Sequence, residues 1–562
     1  MAITISLSLL LLLIFLSTFS SISYSQYPPS IAGNWKLLQS SLGISAMHMQ
    51  VLPGDKLLVF DRTDFGPSNI SLPAGHCRQD PSDLALTTDC TAHSILLDLP
   101  SLSLRPLSIL TDTWCSSGSL LPNSSFFQSG GFNDGDHTIR LFTSDSDWSE
   151  TSSYLSARRW YSTNQLLPDG RVIIIGGRRQ FNYEFFPKDH IRPLTSFPFL
   201  DETRDGDAEN NLYPFVHLLP DGTLFVFANT RVVLLDLSHN GYPLRHLPAI
   251  PDAVPRNYPS SGSSVLLPLR PPSHSPEILI CGGAPRGSFQ AALNGTFYPA
   301  ARTCGRIYPL DQNPTWAMEE MPTARVMGDM VVLPTGDVLL VNGAAAGTAG
   351  WELARDPVTV PVLYNPNKPA GNRFGLMNRS PIPRLYHSSA VLDAYGRVLV
   401  GGSNPHVCYN FTNVMFPTEL SLEAFHPPYL SASLDGLRPE VVAVWAGERG
   451  GGSGQVPATV VGYGEEMGVR FTVKGRKVGG EVVEVVVVVP AFGTHSFGMN
   501  QRVVVLEGGR DEQVAPYVYE VMVKAPPSPE VAPPGYYMMF VLHAGVPGRG
   551  LWVKIQRRDV IT

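Results

Sequence analysis

One phrase recurs along the chain and constrains its fold more than any other feature: an apolar run, a turn built on Pro, Asp or Gly, a second apolar run, and often a glycine pair. It reads "LLPDGRVIIIGG" around Gly170, "LLPDGTLFVFAN" around Gly222, "VVLPTGDVLLVNG" around Gly336 and "AVLDAYGRVLVGG" around Gly396. Looser copies are "MQVLPGDKLLVF" around Gly54, "SLLPNSSFFQSGG" around Ser124 and "SSVLLPLRPPSHSPEILICGG" ending at Gly283, which makes seven. Each copy is a pair of short strands about a tight turn. Such hairpins at intervals of roughly 45 to 70 residues are the pattern of kelch-type propeller blades. Almost no stretch between them carries sustained helical periodicity. The sequence thus predicts an all-β fold with a seven-bladed kelch-type β-propeller over residues 26–432. After "RPEVV" the phrase stops and longer apolar runs take over, among them "VRFTVKG", "EVVEVVVVVPAF" and "YYMMFVLHAG", which predict an immunoglobulin-like β-sandwich over residues 436–562. The Gly-rich "GERGGGSGQ" and the Pro-rich "APPSPEVAPP" read as surface loops of that domain.

The first 25 residues have an apolar run from Leu7 to Phe19 followed by small residues, the pattern of a secretory signal. That run is shorter than the roughly 20 residues a membrane span requires. Sequons at Asn69, Asn123, Asn294, Asn378 and Asn410 agree with an extracellular route. Only 16% of residues are charged and the net charge is −7 without a basic stripe, which argues against nucleic acid as a partner. The expectation is a secreted monomer without a membrane span.

Candidate site residues emerge when the copies are aligned on their turns. Tyr161 lies nine residues before Gly170, Tyr213 nine before Gly222, Cys115 nine before Ser124, and Tyr386 ten before Gly396. Equivalent positions of a propeller face one end of a common axis, so Cys115 and Tyr161, in consecutive copies, can touch. Tyr213 falls in the same ring, where packing is the plainer role. His387 follows Tyr386 directly, and the two can serve one site only where the chain is still approaching its strand, because strand neighbours point to opposite faces. Two phenols with imidazoles form an N,O donor set that suits copper better than zinc. His495, in "PAFGTHSFGMNQR", interrupts the C-terminal strands on a loop able to reach the axis and supplies the second imidazole.

The motifs "TDTWCSSG", "RRWYSTNQLLPDGRVIIIGGRRQF", "MPTARVMGDMVVLPTGDVLLVNGAAAGTAGWE", "IPRLYHSSAVL" with "VGGSNPH", and "PAFGTHSFGMNQR" together resemble the glyoxal oxidases of plants and fungi, relatives of galactose oxidase among the copper radical oxidases. The resemblance runs over nearly the whole mature chain. It implies one copper ion held by Tyr161, Tyr386, His387 and His495, and a thioether between Cys115 and the ring of Tyr161 that makes the tyrosine a radical cofactor. It also implies Tyr386 as general base and O2 as the acceptor that leaves as H2O2. One departure stands out: where galactose oxidase stacks a tryptophan on the linked tyrosine, this chain has Arg179, and Phe181 or Trp160 is left to stack instead. Cys77 is expected to pair with Cys90 and Cys281 with Cys304, each closing a short loop in an oxidising compartment, leaving Cys408 unpaired. "SDSDW" carries serines where relatives are expected to carry cysteines.

Arg158, Arg159, Arg178 and Arg179 flank the Tyr161 hairpin, and an arginine facing the site favours small oxygen-rich substrates, hence glyoxal or methylglyoxal over a bulky sugar. The ligand set alone leaves two alternatives: a primary-alcohol or galactose-type oxidase that shares every ligand, and a non-catalytic propeller that binds a glycan or protein.

Overall fold

A computed structural model describes residues 25–26, 32–191, 193–239, 243–447, 460–475 and 483–557. Residues 1–24 of the expected signal and nearly all of "GERGGGSGQ" lie outside this set. Among the described residues no helix is long and apolar enough to cross a membrane.

All seven copies of the phrase are hairpins. They are His48–Leu52 with Lys56–Phe60, Ser117–Leu120 with Phe126–Ser129, Ser162–Leu166 with Val172–Gly176, Phe215–Leu218 with Leu224–Ala228, Ser263–Leu266 with Ile278–Cys281, Asp329–Val332 with Val338–Val341, and Ser389–Leu392 with Val398–Gly401. Second strands such as Val172–Gly176 and Val338–Val341 are continuously apolar rather than alternating because both faces are covered, and they are buried at every position. Further strands extend each hairpin into a small sheet, antiparallel except where Ser25–Gln26 pairs parallel with Phe374–Leu376. The outer strands Ser149–Thr151 and Ala317–Glu320 are largely solvated. Asn34–Gln39, near the start of the described chain, pairs with Leu422–His426 in the last of these sheets. Among the described residues the α-helical content is two short pieces, Phe199–Glu202 and Ser288–Leu293.

The C-terminal region forms two sheets, one containing Pro439–Ala446, Glu466–Val473 and Val518–Lys524, the other Leu551–Ile555, Gly535–His543, Val483–Val489 and Arg502–Val505. Val483–Val489 is apolar on both faces for a reason. Val485 and Val487 face Val469 and Phe471 inside the sandwich, whereas Val486 and Val488 pack with Val332 and Leu333 of the preceding domain. The chain then turns into the hairpin Phe492–Thr494 with Phe497–Met499, whose first strand pairs with His48–Gln50. A C-terminal hairpin is thereby built onto an N-terminal sheet. Gly493 permits the approach, since a Cβ there would lie 3.0 Å from Val391 Cγ1.

One expectation fails. "APPSPEVAPP" is not a surface loop: Val531 and Ala532 are buried, the Arg502 guanidinium donates to the Val531 carbonyl at 2.9 Å, and Glu530 and Pro534 pack beneath the hairpin turns at Gly222 and Gly170. Proline lacks an N–H, so such a stretch can be buried with fewer orphan donors.

Candidate metal centre

Every inner strand is approached through a loop, and four loops share a device: a buried arginine, one residue, then a large side chain. The sequences are Arg159-Trp160-Tyr161, Arg256-Asn257-Tyr258, Arg325-Val326-Met327 and Arg384-Leu385-Tyr386. In each, the guanidinium donates to a carbonyl at the end of the hairpin it precedes: Gly176, Gly282, Asn342 or Gly402. Three of the four also meet a carboxylate, Glu184, Asp252 or Glu423. The arginine thus ties the loop to its own sheet and fixes the side chain two residues on.

The backbone beyond is bent. Cys115 (φ 52°), Tyr161 (φ 66°), Met327 (φ 59°) and His387 (φ 66°) are left-handed, as are His495 (φ 46°) and Ser496 (φ 65°) at the tip of the C-terminal hairpin. Non-glycine residues in this region cost about 1–3 kcal/mol each and cluster at functional sites. Asn-Gly is the usual choice for a two-residue hairpin turn with both residues left-handed; this one carries His-Ser. The bend also answers how Tyr386 and His387 share a site. Both precede the strand Ser389–Leu392, and their rings stack with centroids 3.8 Å apart. Gly402 backs them, since a Cβ there would lie 2.4 Å from the His387 carbonyl oxygen.

The five sequence-derived residues Cys115, Tyr161, Tyr386, His387 and His495 meet. Cys115 Sγ is 3.1 Å from His495 Nε2, and one ligand atom each from Cys115, His387 and His495 lie within 4.8 Å of one another. The Tyr161 and Tyr386 hydroxyls are 3.4 Å apart, and both rings stand edge-on to His495 at 5.7 Å. All five are buried. Burial pushes the Cys115 thiol and the Tyr161 and Tyr386 phenols well above their ordinary pKa ranges and holds both imidazoles well below theirs. Thr494 Oγ1 lies 2.7 Å from His495 Nδ1 and leaves Nε2 facing the cluster. Both His387 nitrogens are buried without a hydrogen-bond partner. Unpaired polar atoms at such depth are costly. A cation bound by one of them would relieve that nitrogen, and the N,O,S donor set fits copper.

Above the pair of hydroxyls opens a cavity of about 340 Å³ lined by Trp114, Trp160, Trp351, Tyr258, Arg178, Arg179 and Glu209 besides Tyr161 and Tyr386. The four arginines divide. Arg159 is buried on Glu184, Arg158 points to Asp136 at 3.3 Å and is 72% exposed, and Arg178 and Arg179 reach Glu209 at 3.0 and 3.7 Å on the cavity wall. The ring stacked on Tyr161 is neither of those expected. Tyr258 lies on it at 4.6 Å and 27°, Trp160 is tilted at 44°, and Phe181 packs in another cluster, around Phe197 and Phe199. Tyr213 abuts Tyr161 edge-on at 5.4 Å and donates to the Ser116 carbonyl. Tyr258 escaped the alignment because the turn of its hairpin is a long Pro-rich loop with no glycine to count from. The Arg-x-Tyr signature would have found it. Cys77–Cys90 and Cys281–Cys304 are disulfides, and Cys408 is exposed and free.

Comparison with known proteins agrees with this architecture. The family profile for the glyoxal oxidase N-terminus matches residues 47–429, and that for the galactose oxidase-like early set domain matches residues 453–555. The aldehyde oxidase GLOX of Vitis pseudoreticulata is 44% identical over 93% of this chain and 97% of its own length. The aldehyde oxidase GLOX1 of Arabidopsis thaliana is 40% identical over 93% of this chain and 84% of its own. Among solved structures, a copper-bound fungal alcohol oxidase of the AA5 family superposes with a TM-score of 0.69 over 93% of this chain and 100% of its own, at 17% identity, a likeness of fold. A match of this extent across both domains leaves one assignment: the chain belongs to the glyoxal oxidase family.

Proposed function

We propose that the protein is a secreted copper radical oxidase that converts small aldehydes, as their hydrates, to carboxylic acids while O2 is reduced to H2O2. The observation that carries this reading is the convergence of Cys115, Tyr161, Tyr386, His387 and His495 in one buried cluster, of which Tyr161 and Tyr386 line the cavity. The aldehyde oxidases named above, similar over nearly the full chain, support it. Held by Tyr161, Tyr386, His387 and His495, copper supplies one-electron redox chemistry and a positive charge that favours both phenolates. The chain supplies the rest. Cys115 and Tyr161 join through sulfur, losing the S–H and one ring C–H hydrogen to O2 as H2O2, and the linked phenol is the second one-electron centre. Tyr386 accepts the proton of a substrate hydroxyl, and Tyr161 takes the hydrogen atom from its carbon. Overall, RCH(OH)2 and O2 give RCOOH and H2O2. Arg178 and Arg179 favour oxygen-rich substrates.

The same reading takes the seven hairpin-bearing sheets as blades closed about an axis that the Phe492–Met499 hairpin enters. Contacts between inner strands of successive sheets support it, as does the contact of Phe492–Thr494 with Ser117–Leu120. The test is a peroxidase-coupled assay across glyoxal, methylglyoxal, glycerol and galactose, with metal analysis and peptide mass spectrometry of the same preparation. Expected are one copper per chain, a Cys115–Tyr161 peptide two hydrogens lighter than its parts, and preference for the aldehydes. A clear preference for galactose overturns the substrate; a freely alkylated Cys115 in copper-loaded, oxygenated protein overturns the mechanism.

A further inference from the structure

Two phenols suffice for the chemistry proposed above, yet the cavity has three. Tyr258 reaches it by the same device as Tyr161 and Tyr386: Arg256 is buried, paired with Asp252 and bonded to the Gly282 carbonyl. The segment is clamped further, with Asn257 Nδ2 donating to the Tyr213 carbonyl at 2.8 Å and the Tyr258 N–H to that of Leu212 at 2.6 Å. The Tyr258 ring lies within 28° of parallel to both others, 4.6 Å from Tyr161 and 6.2 Å from Tyr386. Tyr258 lines the cavity together with Tyr161 and Tyr386, so it is a wall of the space that a substrate bound over those two must occupy.

A hydrated aldehyde and a primary alcohol differ at the reacting carbon by one group. Each has a hydroxyl for Tyr386 and a hydrogen for Tyr161; the hydrate has a second hydroxyl where the alcohol has hydrogen. We propose that the Tyr258 hydroxyl hydrogen-bonds this second hydroxyl and thereby makes the site select hydrated aldehydes over primary alcohols. This rests on the oxidase reading above and names the residue that sets its substrate class. A site built to bond a substrate hydroxyl discriminates against the analogue lacking it, because its own polar group is then left unpaired.

The test is Tyr258→Phe, which keeps the stacked ring and removes one oxygen. In the copper-loaded enzyme kcat/KM for methylglyoxal should fall about tenfold. That for glycerol should stay within about twofold, since it never used the bond. A second readout needs no turnover: hexafluoroacetone hydrate, a geminal diol with no hydrogen on its central carbon, titrated calorimetrically into the copper-loaded protein under nitrogen, should bind the variant about tenfold more weakly. An unchanged aldehyde-to-alcohol ratio with unchanged diol affinity overturns the proposal, as does an equal loss for both substrates. If the wild type yields no peroxide from any aldehyde, the oxidase reading fails instead, and the diol titration still decides what Tyr258 does.

Discussion

The arginine that precedes Tyr161 can be removed to ask whether the clamp or the charge holds the site. Arg159 and Glu184 are 0% and 1% exposed and meet at 2.8 Å; Arg159 also donates to the Gly176 carbonyl at 2.6 Å. Glu184 accepts from the Ser156 N–H at 2.8 Å and that of Ala157 at 3.3 Å. Arg159→Met matches the stem but leaves a buried carboxylate with only two neutral donors, a loss of about 3–5 kcal/mol. Adding Glu184→Gln removes the stranded charge and keeps an acceptor for Ser156, so about 2 kcal/mol should return, within the range for directly coupled pairs. Guanidinium unfolding followed by tryptophan fluorescence reads both numbers. The site should respond differently. Neither variant restores the bond to Gly176, so the yield of the Cys115–Tyr161 peptide in copper-loaded, oxygenated protein should stay low in the double variant despite its regained stability. A loss below about 1 kcal/mol for Arg159→Met would refute the buried-pair argument. Full cross-linking in the double variant would refute the clamp.

Other expectations are simpler to check. Burial, with the charges of Asp112, Asp83 and Asp134, pushes Asp64 up to about 8, and burial with Asp80 pushes Asp134 up to about 7. Both pKa values are raised on folding, so the stability they contribute is complete below the ordinary carboxylate value and is lost as pH rises through 7 to 8. Copper-free protein should therefore melt lower at about pH 8.5 than at about pH 6, and Asp64→Asn should flatten that slope; an unchanged slope would contradict the assignment. In secreted material, the exposed sequons Asn69, Asn123, Asn294 and Asn410 should accept glycan. Asn378, half-buried and donating to the Gly33 carbonyl at 2.7 Å, should stay bare, as peptide mapping after enzymatic deglycosylation in heavy-oxygen water will read. Brief alkylation of native protein should label exposed Cys408 and spare Cys115.

How much of this was legible in the sequence follows from burial. The inner hairpins are covered on both faces, so their apolar runs and turn residues stand out, and all seven were readable. The outer strands, such as Ala317–Glu320, are half solvated and carry no comparable pattern. Cys115, Tyr161 and Tyr386 were reachable by counting from a turn because their hairpins have short, regular turns, and His387 came with Tyr386 as its neighbour. The Tyr258 hairpin spans Ser263 to Cys281 with a long loop inside it, so the count failed although the phenol is in place. The break in the C-terminal strands marked His495 and the motif matched it, but the reason it reaches the cluster lies in tertiary packing that no local signal records. Depth misled as well: "APPSPEVAPP" has loop composition, yet lies between the sandwich and two hairpin turns.

That packing ties the metal to the union of the two domains. Val486 and Val488 turn the outer face of the sandwich sheet toward Val332 and Leu333, and three residues after this strand the chain pairs with His48–Gln50 and turns at His495. His495 is thus the one proposed ligand that docking must deliver, whereas Tyr161, Tyr386 and His387 are carried by hairpins of the first domain. A metal bound by all four is bound only by the docked state, and its binding free energy adds to docking through RT ln(1 + [L]/Kd). His495→Ala should then lose the metal-dependent part of the stability while the copper-free protein unfolds much as before. The wild type should gain about 2.7 kcal/mol when free copper reaches 100 times its Kd. The measurement is unfolding with and without copper in both proteins. An equal gain in both would mean that the first domain holds the metal unaided, and would remove the C-terminal hairpin from the centre.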